Sequence, residues 1–146
     1  MNLAIWDIES SSASTDFGSI IEIGGVLVDE NFKEKDRFNL RCRLPEGEIF
    51  QAMALIVNKT SIKKLTQANL SHYQMLAEVE KIFKKWSPAI FLGWSNIGFD
   101  DEMIRKEFFK GIRYPYLTNA APNKRHDGIN ICLLYTSPSP RDEHSS

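Results

Sequence analysis

Two carboxylates near the amino terminus have a spacing that suits metal chemistry. Asp7 and Glu9 flank Ile8 at the end of an apolar segment. Side chains at positions i and i+2 of a strand point to the same face, so both carboxylates would share one side of a sheet. Two like charges beside apolar residues repel each other and lose hydration. A hard divalent cation, Mg²⁺ or Mn²⁺, would relieve both costs; the alternative is a solvated strand end, where acidic residues are common.

A third carboxylate follows a second apolar segment. Asp100 comes six residues after the segment at 89–94. If the two apolar segments form neighbouring strands, Asp100 comes close to Asp7 and Glu9, because ligand sites in α/β sheets favour the carboxyl ends of strands. The alternative is a simple helix N-cap, and the next two acidic residues suit the first turn of a helix.

The hydrophobic pattern predicts the elements that must position these residues. Apolar and alternating segments predict strands at 3–9, 19–28, 37–43 and 89–94, and helical spacing predicts helices at 60–69, 73–86 and 103–110. Short connections favour an antiparallel meander for the first three strands. The fourth strand is nearly all apolar, which is typical of a central parallel strand. The order β-β-β-α-α-β-α predicts an α/β architecture.

Composition bounds the class of protein. The 146 residues, 42% hydrophobic and 25% charged, fit one globular domain rather than a disordered chain. The 18 basic and 19 acidic residues exclude a nucleic-acid binder that works by bulk positive charge. The sequence lacks the long apolar run of a membrane helix and the pattern of a signal peptide. We therefore expect a cytoplasmic location, with Cys42 as a reduced and buried small hydrophobe.

Three segments, taken together, resemble the first two motifs of the DEDD-type 3′→5′ exonucleases. They are D-I-E at 7–9, I-I-E-I-G at 20–24 and N-I-G-F-D at 96–100. D-x-E alone is common, but the order of the three segments and their strand contexts are specific. The resemblance covers about residues 3–131, and within the group the chain looks most like the bacterial exonuclease I type.

The resemblance implies a fold and a reaction. The fold would be an RNase H-like mixed sheet, a three-stranded antiparallel meander plus a parallel strand, with flanking helices. The reaction would be hydrolysis of the 3′-terminal phosphodiester of a single strand, with four carboxylates holding two Mg²⁺ about 3.5–4 Å apart. Asp7 and Glu9 match the first motif and Asp100 the second, so these three would be catalytic metal ligands, with Asp7 bridging the ions.

The resemblance also implies contacts with the substrate. Leu55 and Asn58 lie in a segment that matches a family loop near the terminal nucleotide, and Ile8 and Phe99 lie beside the carboxylates. For Phe99, stacking on a base and packing in the core are both open. Glu22 is within reach of the site and is interpreted as a neighbour of the metal ligands or a solvent-facing residue, rather than a ligand.

The third family motif, with a general-base histidine and a fourth carboxylate, is not found. His126 and Asp127 are adjacent and come too early for it. Residues 132–146 resemble a translated sequencing-library adapter followed by an index, and the alternative is a natural Ser/Pro-rich tail. On the adapter interpretation, residues 1–131 are the amino-terminal part of an exonuclease domain. The chain itself would then be impaired, because general-base catalysis is typically worth 10²–10⁴-fold.

The sequence therefore predicts a Mg²⁺-dependent 3′→5′ exonuclease that acts on single-stranded DNA, as in DNA repair. An exoribonuclease of the same superfamily stays open as an alternative, because recognition of the 2′-hydroxyl depends on loop geometry. A non-catalytic nucleic-acid-binding module that lacks the last motif is the rival from another class.

Overall fold

The structure, a computed structural model, describes residues 1–12, 18–43, 67–93 and 100–127. Several predictions fall outside these ranges: residues 60–66 of the helix at 60–69, the substrate residues Leu55, Asn58 and Phe99, and the tail at 132–146. Within the described ranges, no helix is long and apolar enough to cross a membrane.

The described residues form one mixed sheet and two helices. The strands are β1 (Asn2–Ser10), β2 (Ile20–Val28), β3 (Glu34–Arg41), β4 (Ala89–Gly93) and β5 (Lys124–Asp127), and the helices are α1 (His72–Trp86) and α2 (Asp100–Lys110). The strand order is β3-β2-β1-β4-β5. β1 and β3 run antiparallel to β2, whereas β4 runs parallel to β1 and to β5. The predicted RNase H-like arrangement, a meander joined to a parallel strand, is confirmed.

β5 is an addition to the predicted elements. Its four residues, Lys-Arg-His-Asp, have no apolar alternation, so the hydrophobic pattern gives no sign of a strand. The segment becomes a strand by pairing with β4, from Ile90 opposite Lys124 to Gly93 opposite Asp127. A charged strand suits this position, because β5 lies at the edge of the described sheet.

One face of the sheet carries the hydrophobic core. In β1, the buried Ala4, Trp6 and Ile8 alternate with residues that are more exposed. α1 packs on this face with an apolar stripe at helical spacing, namely Met75, Leu76, Val79, Phe83 and Trp86. Cys42 is fully buried in the same core, as predicted.

A local capping box fixes the start of α1, and a tertiary hydrogen bond holds its end. Ser71 caps the amino terminus, and its hydroxyl accepts a hydrogen bond from the Gln74 N–H while the Gln74 side chain accepts one from the Ser71 N–H. At the other end, the indole of Trp86 donates to Asp36 of β3 at 2.9 Å. Gly25 permits this close packing, because a Cβ there would lie only 3.2 Å from the Trp86 ring.

Glu107 positions α2 against the rest of the fold. Its side chain is buried, accepts a hydrogen bond from the Ile20 N–H at 3.1 Å and lies 3.3 Å from Nε2 of His72. Burial opposes its ionisation, but His72, the charge of Lys106 and the Ile20 N–H outweigh burial and hold the pKa of Glu107 below its usual range. One carboxylate therefore connects α2 to the start of β2 and to the start of α1.

This arrangement predicts an acid-dependent loss of stability. A carboxyl whose pKa is lower in the folded protein stabilises the fold above its unfolded pKa, and the contribution disappears as the pH falls through the folded pKa. Glu107→Gln is expected to lower the free energy of unfolding by about 1 kcal/mol at neutral pH. It should also flatten the fall of Tm below about pH 4.5, because the variant has no carboxyl to protonate.

Thermal unfolding followed by circular dichroism from neutral to acidic pH measures both effects. Glu78→Gln is the matched control, since Glu78 is a half-exposed residue of α1 paired with Lys81 at 3.4 Å. If Glu107→Gln keeps the steep acid dependence of the parent chain, Glu107 is not the group responsible.

Candidate metal site on the open face of the sheet

Asp7 and Glu9 share the face of the sheet opposite α1. Asp7 is exposed, while its neighbours Trp6 and Ile8 are buried on the core face. Glu9 is partly buried and follows the same alternation. The spacing of the D-x-E motif therefore places both carboxylates on one face near the carboxyl end of β1, as predicted.

A groove of about 520 Å³ crosses the meander at these carboxylates. Asp7, Glu9, Glu22, Gly24 and Asn39 contribute to its lining. In the strand register, Gly24 lies opposite Asp7 on one side and opposite Asn39 on the other. Because Gly24 has no side chain, the groove is open between its two walls.

Among the described residues, carboxylates outnumber cations in the lining of this groove, which holds three carboxylates and one cation, Arg37. Glu9 lies directly opposite Glu22 on the neighbouring strand, and Glu22 forms an ion pair with Arg41 at 2.5 Å. Burial raises the pKa of Glu9, as do the charges of Asp7 and Glu22, and Arg41 opposes them. The donors are carboxylate oxygens under mutual repulsion, which is the environment that a hard divalent cation stabilises.

Asp100 is the first residue of α2 and lies at the carboxyl end of β4, as predicted. It is 2% exposed, and its Cβ lies 4.0 Å from the position that a Cβ on Gly93 would take. Gly93 pairs with Trp6, and a Cβ on Gly93 would also meet the Trp6 ring. Asp100 therefore approaches from the core face, whereas Asp7 and Glu9 project from the open face.

The structure brings only part of the predicted ligand set together. Asp7 and Glu9 line one groove, but across residues 1–12, 18–43, 67–93 and 100–127 no group of three or more His, Cys, Asp or Glu could hold a metal ion. Asp100 therefore does not complete a three-ligand centre with them. The neighbouring Asp101 is engaged elsewhere, 3.8 Å from Arg125 of β5.

Of the four predicted substrate contacts, the structure describes only Ile8. The Ile8 side chain is 7% exposed and packs in the core, so any contact with substrate would come from its backbone. Leu55, Asn58 and Phe99 lie outside the described residues. Arg41 was not among the predicted site residues; its signal is the alternation in β3, where Phe38 and Leu40 pack against the core and Arg41 lies opposite Glu22.

Comparison with known proteins adds to this geometry. Neither a family model nor a curated protein matches the sequence. Among solved structures, E. coli exonuclease I in complex with a dA16 oligonucleotide superimposes with a TM-score of 0.83 at 18% identity, over 91% of this chain. The chain has the fold of an RNase H-like exonuclease. A complex of the same E. coli protein with dT13 gives a TM-score of 0.83 at 17% identity, over 95% of this chain.

The likeness concerns one part of a larger protein. This chain spans 29% of the E. coli exonuclease I chain in the dA16 complex and 31% in the dT13 complex. A zinc-bound form of the E. coli exonuclease I–ssDNA complex matches with a TM-score of 0.84 at 17% identity. At this level of identity, the likeness shows a shared fold alone.

Proposed function

We propose that this chain is the amino-terminal part of a metal-dependent 3′→5′ exonuclease that acts on single-stranded DNA. The observation that carries the proposal is the pairing of Asp7 with Glu9 on the open face of a sheet with the exonuclease fold. The oligonucleotides bound to E. coli exonuclease I, dA16 and dT13, support single-stranded DNA as the substrate class, and we propose DNA rather than RNA.

The residues on the open face fit Mg²⁺, and Mn²⁺ is an acceptable substitute. Mg²⁺ is usually bound through one or two carboxylates plus substrate phosphates rather than by a cage of protein ligands. Asp7 and Glu9 supply such a pair, and the raised pKa of Glu9 reflects burial and repulsion that a cation would offset. We propose Asp7 and Glu9 as ligands in the arrangement that the structure shows, and Asp100, at the start of α2, as a third ligand that has to move toward them when the metal binds. Two bound ions would activate the attacking water and stabilise the leaving oxygen.

The chain's own residues would then hold the scissile end in place. Asp7, the more exposed carboxylate, faces the substrate side, while Glu9 lies next to the Glu22–Arg41 ion pair. We propose that residues 1–131 form this part of the domain. A general base and a fourth carboxylate would then belong to a longer parent protein.

A 3′-end assay tests the proposal. A single-stranded DNA oligonucleotide labelled at its 5′ end is incubated with Mg²⁺ and either this chain or the chain extended along its natural reading frame. We expect a ladder of products shortened one nucleotide at a time from the 3′ end, abolished by EDTA. The extended protein should be faster by roughly 10²–10⁴-fold, the usual contribution of a general base.

Two further substrates make the assay specific. An oligonucleotide with a nuclease-resistant 3′-terminal linkage should stay intact, because hydrolysis would have to begin there. An RNA of the same sequence measures the preference for the sugar, and faster cleavage of RNA would assign the protein to the exoribonucleases instead. The proposal fails if neither protein form releases nucleotides from the 3′ end, or if release continues in EDTA.

A further inference from the structure

A second cavity lies on the core face of the sheet, where α1 begins and α2 ends. Its volume is about 280 Å³, and its lining includes Ser19, His72, Tyr73, Lys110 and Arg113. The carboxylate groove is lined by other residues and opens on the opposite face. The cavity is therefore a separate feature, and the proposed metal chemistry leaves it without a role.

The cavity presents positive charge that its neighbours only partly neutralise. Glu107, also in the lining, is directed to His72 and to the Ile20 N–H. Arg113 pairs with Glu80 at 3.3 Å. In contrast, no carboxylate of the described residues forms an ion pair with Lys110, which is exposed at the last turn of α2. Lys110 thus supplies a charge that is available to an anionic ligand.

An aromatic ring stands beside this charge. Tyr73 is 66% exposed, so its ring is accessible to a ligand. The guanidinium carbon of Arg113 lies 5.0 Å from the centroid of the Tyr73 ring and orients it. A cation next to an exposed ring is the combination with which proteins hold single strands without sequence preference.

We propose that this cavity binds the single strand on the 5′ side of the reacting end, with Lys110 contacting a backbone phosphate and Tyr73 stacking on a base. The inference rests on the proposed function, because the 3′ end is placed at Asp7 and Glu9. It adds a second contact surface for the same substrate.

The topology places this cavity at the same end of β1 as the carboxylates. Ser10 directly follows Glu9 and pairs with Ile20 at the start of β2. The Ile20 N–H donates to Glu107, whose side chain lines the cavity. A single-stranded oligonucleotide that leaves the open face would reach Tyr73 and Lys110 by passing the carboxyl end of β1.

The salt dependence of binding tests the phosphate contact directly. Each phosphate contact to a single strand contributes about 0.7 to the slope of log affinity against log salt. Binding of a labelled oligothymidine of about twelve nucleotides is measured by fluorescence anisotropy in EDTA, between about 50 and 200 mM salt. Lys110→Gln is expected to reduce the slope by about 0.7 and to weaken binding throughout the range.

Lys81→Gln is the matched control for charge. Lys81 is an exposed lysine of α1 that pairs with Glu78 on the helix surface, and its loss changes the net charge by the same amount. We expect the slope of log affinity against log salt to be the same for this variant as for the unmutated chain. Equal slopes for Lys110→Gln and Lys81→Gln would overturn the proposal.

The ring is tested by a second pair of variants. Tyr73→Ala should weaken binding by about fivefold or more, the loss expected for one base–aromatic stack, whereas Tyr73→Phe keeps the ring and should bind as the parent does. Phe32→Ala removes another exposed ring, 80% exposed in the turn after β2, and should have no effect. Equal losses for Tyr73→Ala and Phe32→Ala would overturn the stacking contact.

Two more outcomes separate this inference from its alternatives. Thymidine 5′-monophosphate should bind far more weakly than the oligonucleotide; if it binds as well and is equally sensitive to Lys110→Gln, the cavity is a mononucleotide site and the proposal is wrong. If the unmutated chain does not bind the oligonucleotide, the proposal is also overturned. A protein partner would then be the remaining explanation for the exposed Tyr73 and Lys110. Because EDTA prevents metal-dependent hydrolysis, failure of the nuclease assay alone would not change these results.

Discussion

Asp7→Asn is expected to remove divalent-cation binding from the groove and, with it, hydrolysis. Asp7 supplies one of the two carboxylates on the open face, and asparagine keeps the shape while removing the charge. Even residues that only orient metal ligands cost about 10–100-fold in affinity when changed, so loss of a ligand should lower Mn²⁺ affinity by at least about a hundredfold. Nucleotide release should fall by roughly a thousandfold or more, since a metal ion supplies several kcal/mol of transition-state stabilisation.

Two measurements keep this prediction independent of the activity of the chain. Mn²⁺ binding is followed by electron paramagnetic resonance on the chain alone, and nucleotide release is followed on the extended protein. Because Asp7 is exposed, the variant should unfold at the Tm of the parent or slightly above it, which excludes a folding defect.

Glu78→Gln is the control, because it removes the same charge from a half-exposed position on α1, away from the groove. It should leave both Mn²⁺ binding and nucleotide release unchanged. Unchanged Mn²⁺ affinity in Asp7→Asn would mean that Asp7 is a solvated strand end, and the metal site would have to be abandoned.

The common face of Asp7 and Glu9 could be predicted because the side-chain period of a strand is two. The apolar Ala4, Trp6 and Ile8 identify the core face of β1, so the charged residues between them must face the other way. The same logic predicts the meander and the central strands, where burial and alternation leave a strong pattern. The strands near the site can therefore be predicted largely from patterns over a few neighbouring residues in the sequence.

Other features depend on how helices cross the sheet, which short-range patterns do not encode. Sequence places Asp100 at the right edge of the sheet but not on a face, because the face depends on the path between β4 and α2. The buried contact of Glu107 with Ile20 joins residues 87 positions apart. Helical spacing from Met103 and Ile104 puts Glu107 on the buried side of α2, but a glutamate is usually solvated, so only the tertiary structure reveals the partners that stabilise it there.

The core that supports β1 gives the second large prediction. Phe83 of α1 is fully buried and makes ring contacts with four other aromatic residues: Trp6, Phe38, Trp86 and Phe91. The centroid distances run from 5.0 Å to Phe91 up to 6.3 Å to Trp86. Phe83 therefore joins α1 to three strands, and one of its partners directly precedes Asp7.

Phe83→Ala should lower the free energy of unfolding by about 3–5 kcal/mol, because the small side chain leaves a cavity among rings that cannot collapse fully. That loss is a large part of the roughly 5–15 kcal/mol that stabilises a typical domain. Urea denaturation should show a lower midpoint with an unchanged m value.

Phe109→Ala is the matched control, since Phe109 is 70% exposed on α2 and its loss should cost no more than about 0.5 kcal/mol. Because Trp6 packs against Phe83 and directly precedes Asp7, the destabilised variant also tests whether the core sets the geometry of the groove. If the Phe83→Ala molecules that remain folded bind Mn²⁺ as the parent does, sheet pairing alone positions Asp7 and Glu9. If Mn²⁺ affinity falls by more than the unfolded fraction explains, the packing beneath β1 is what positions the two carboxylates.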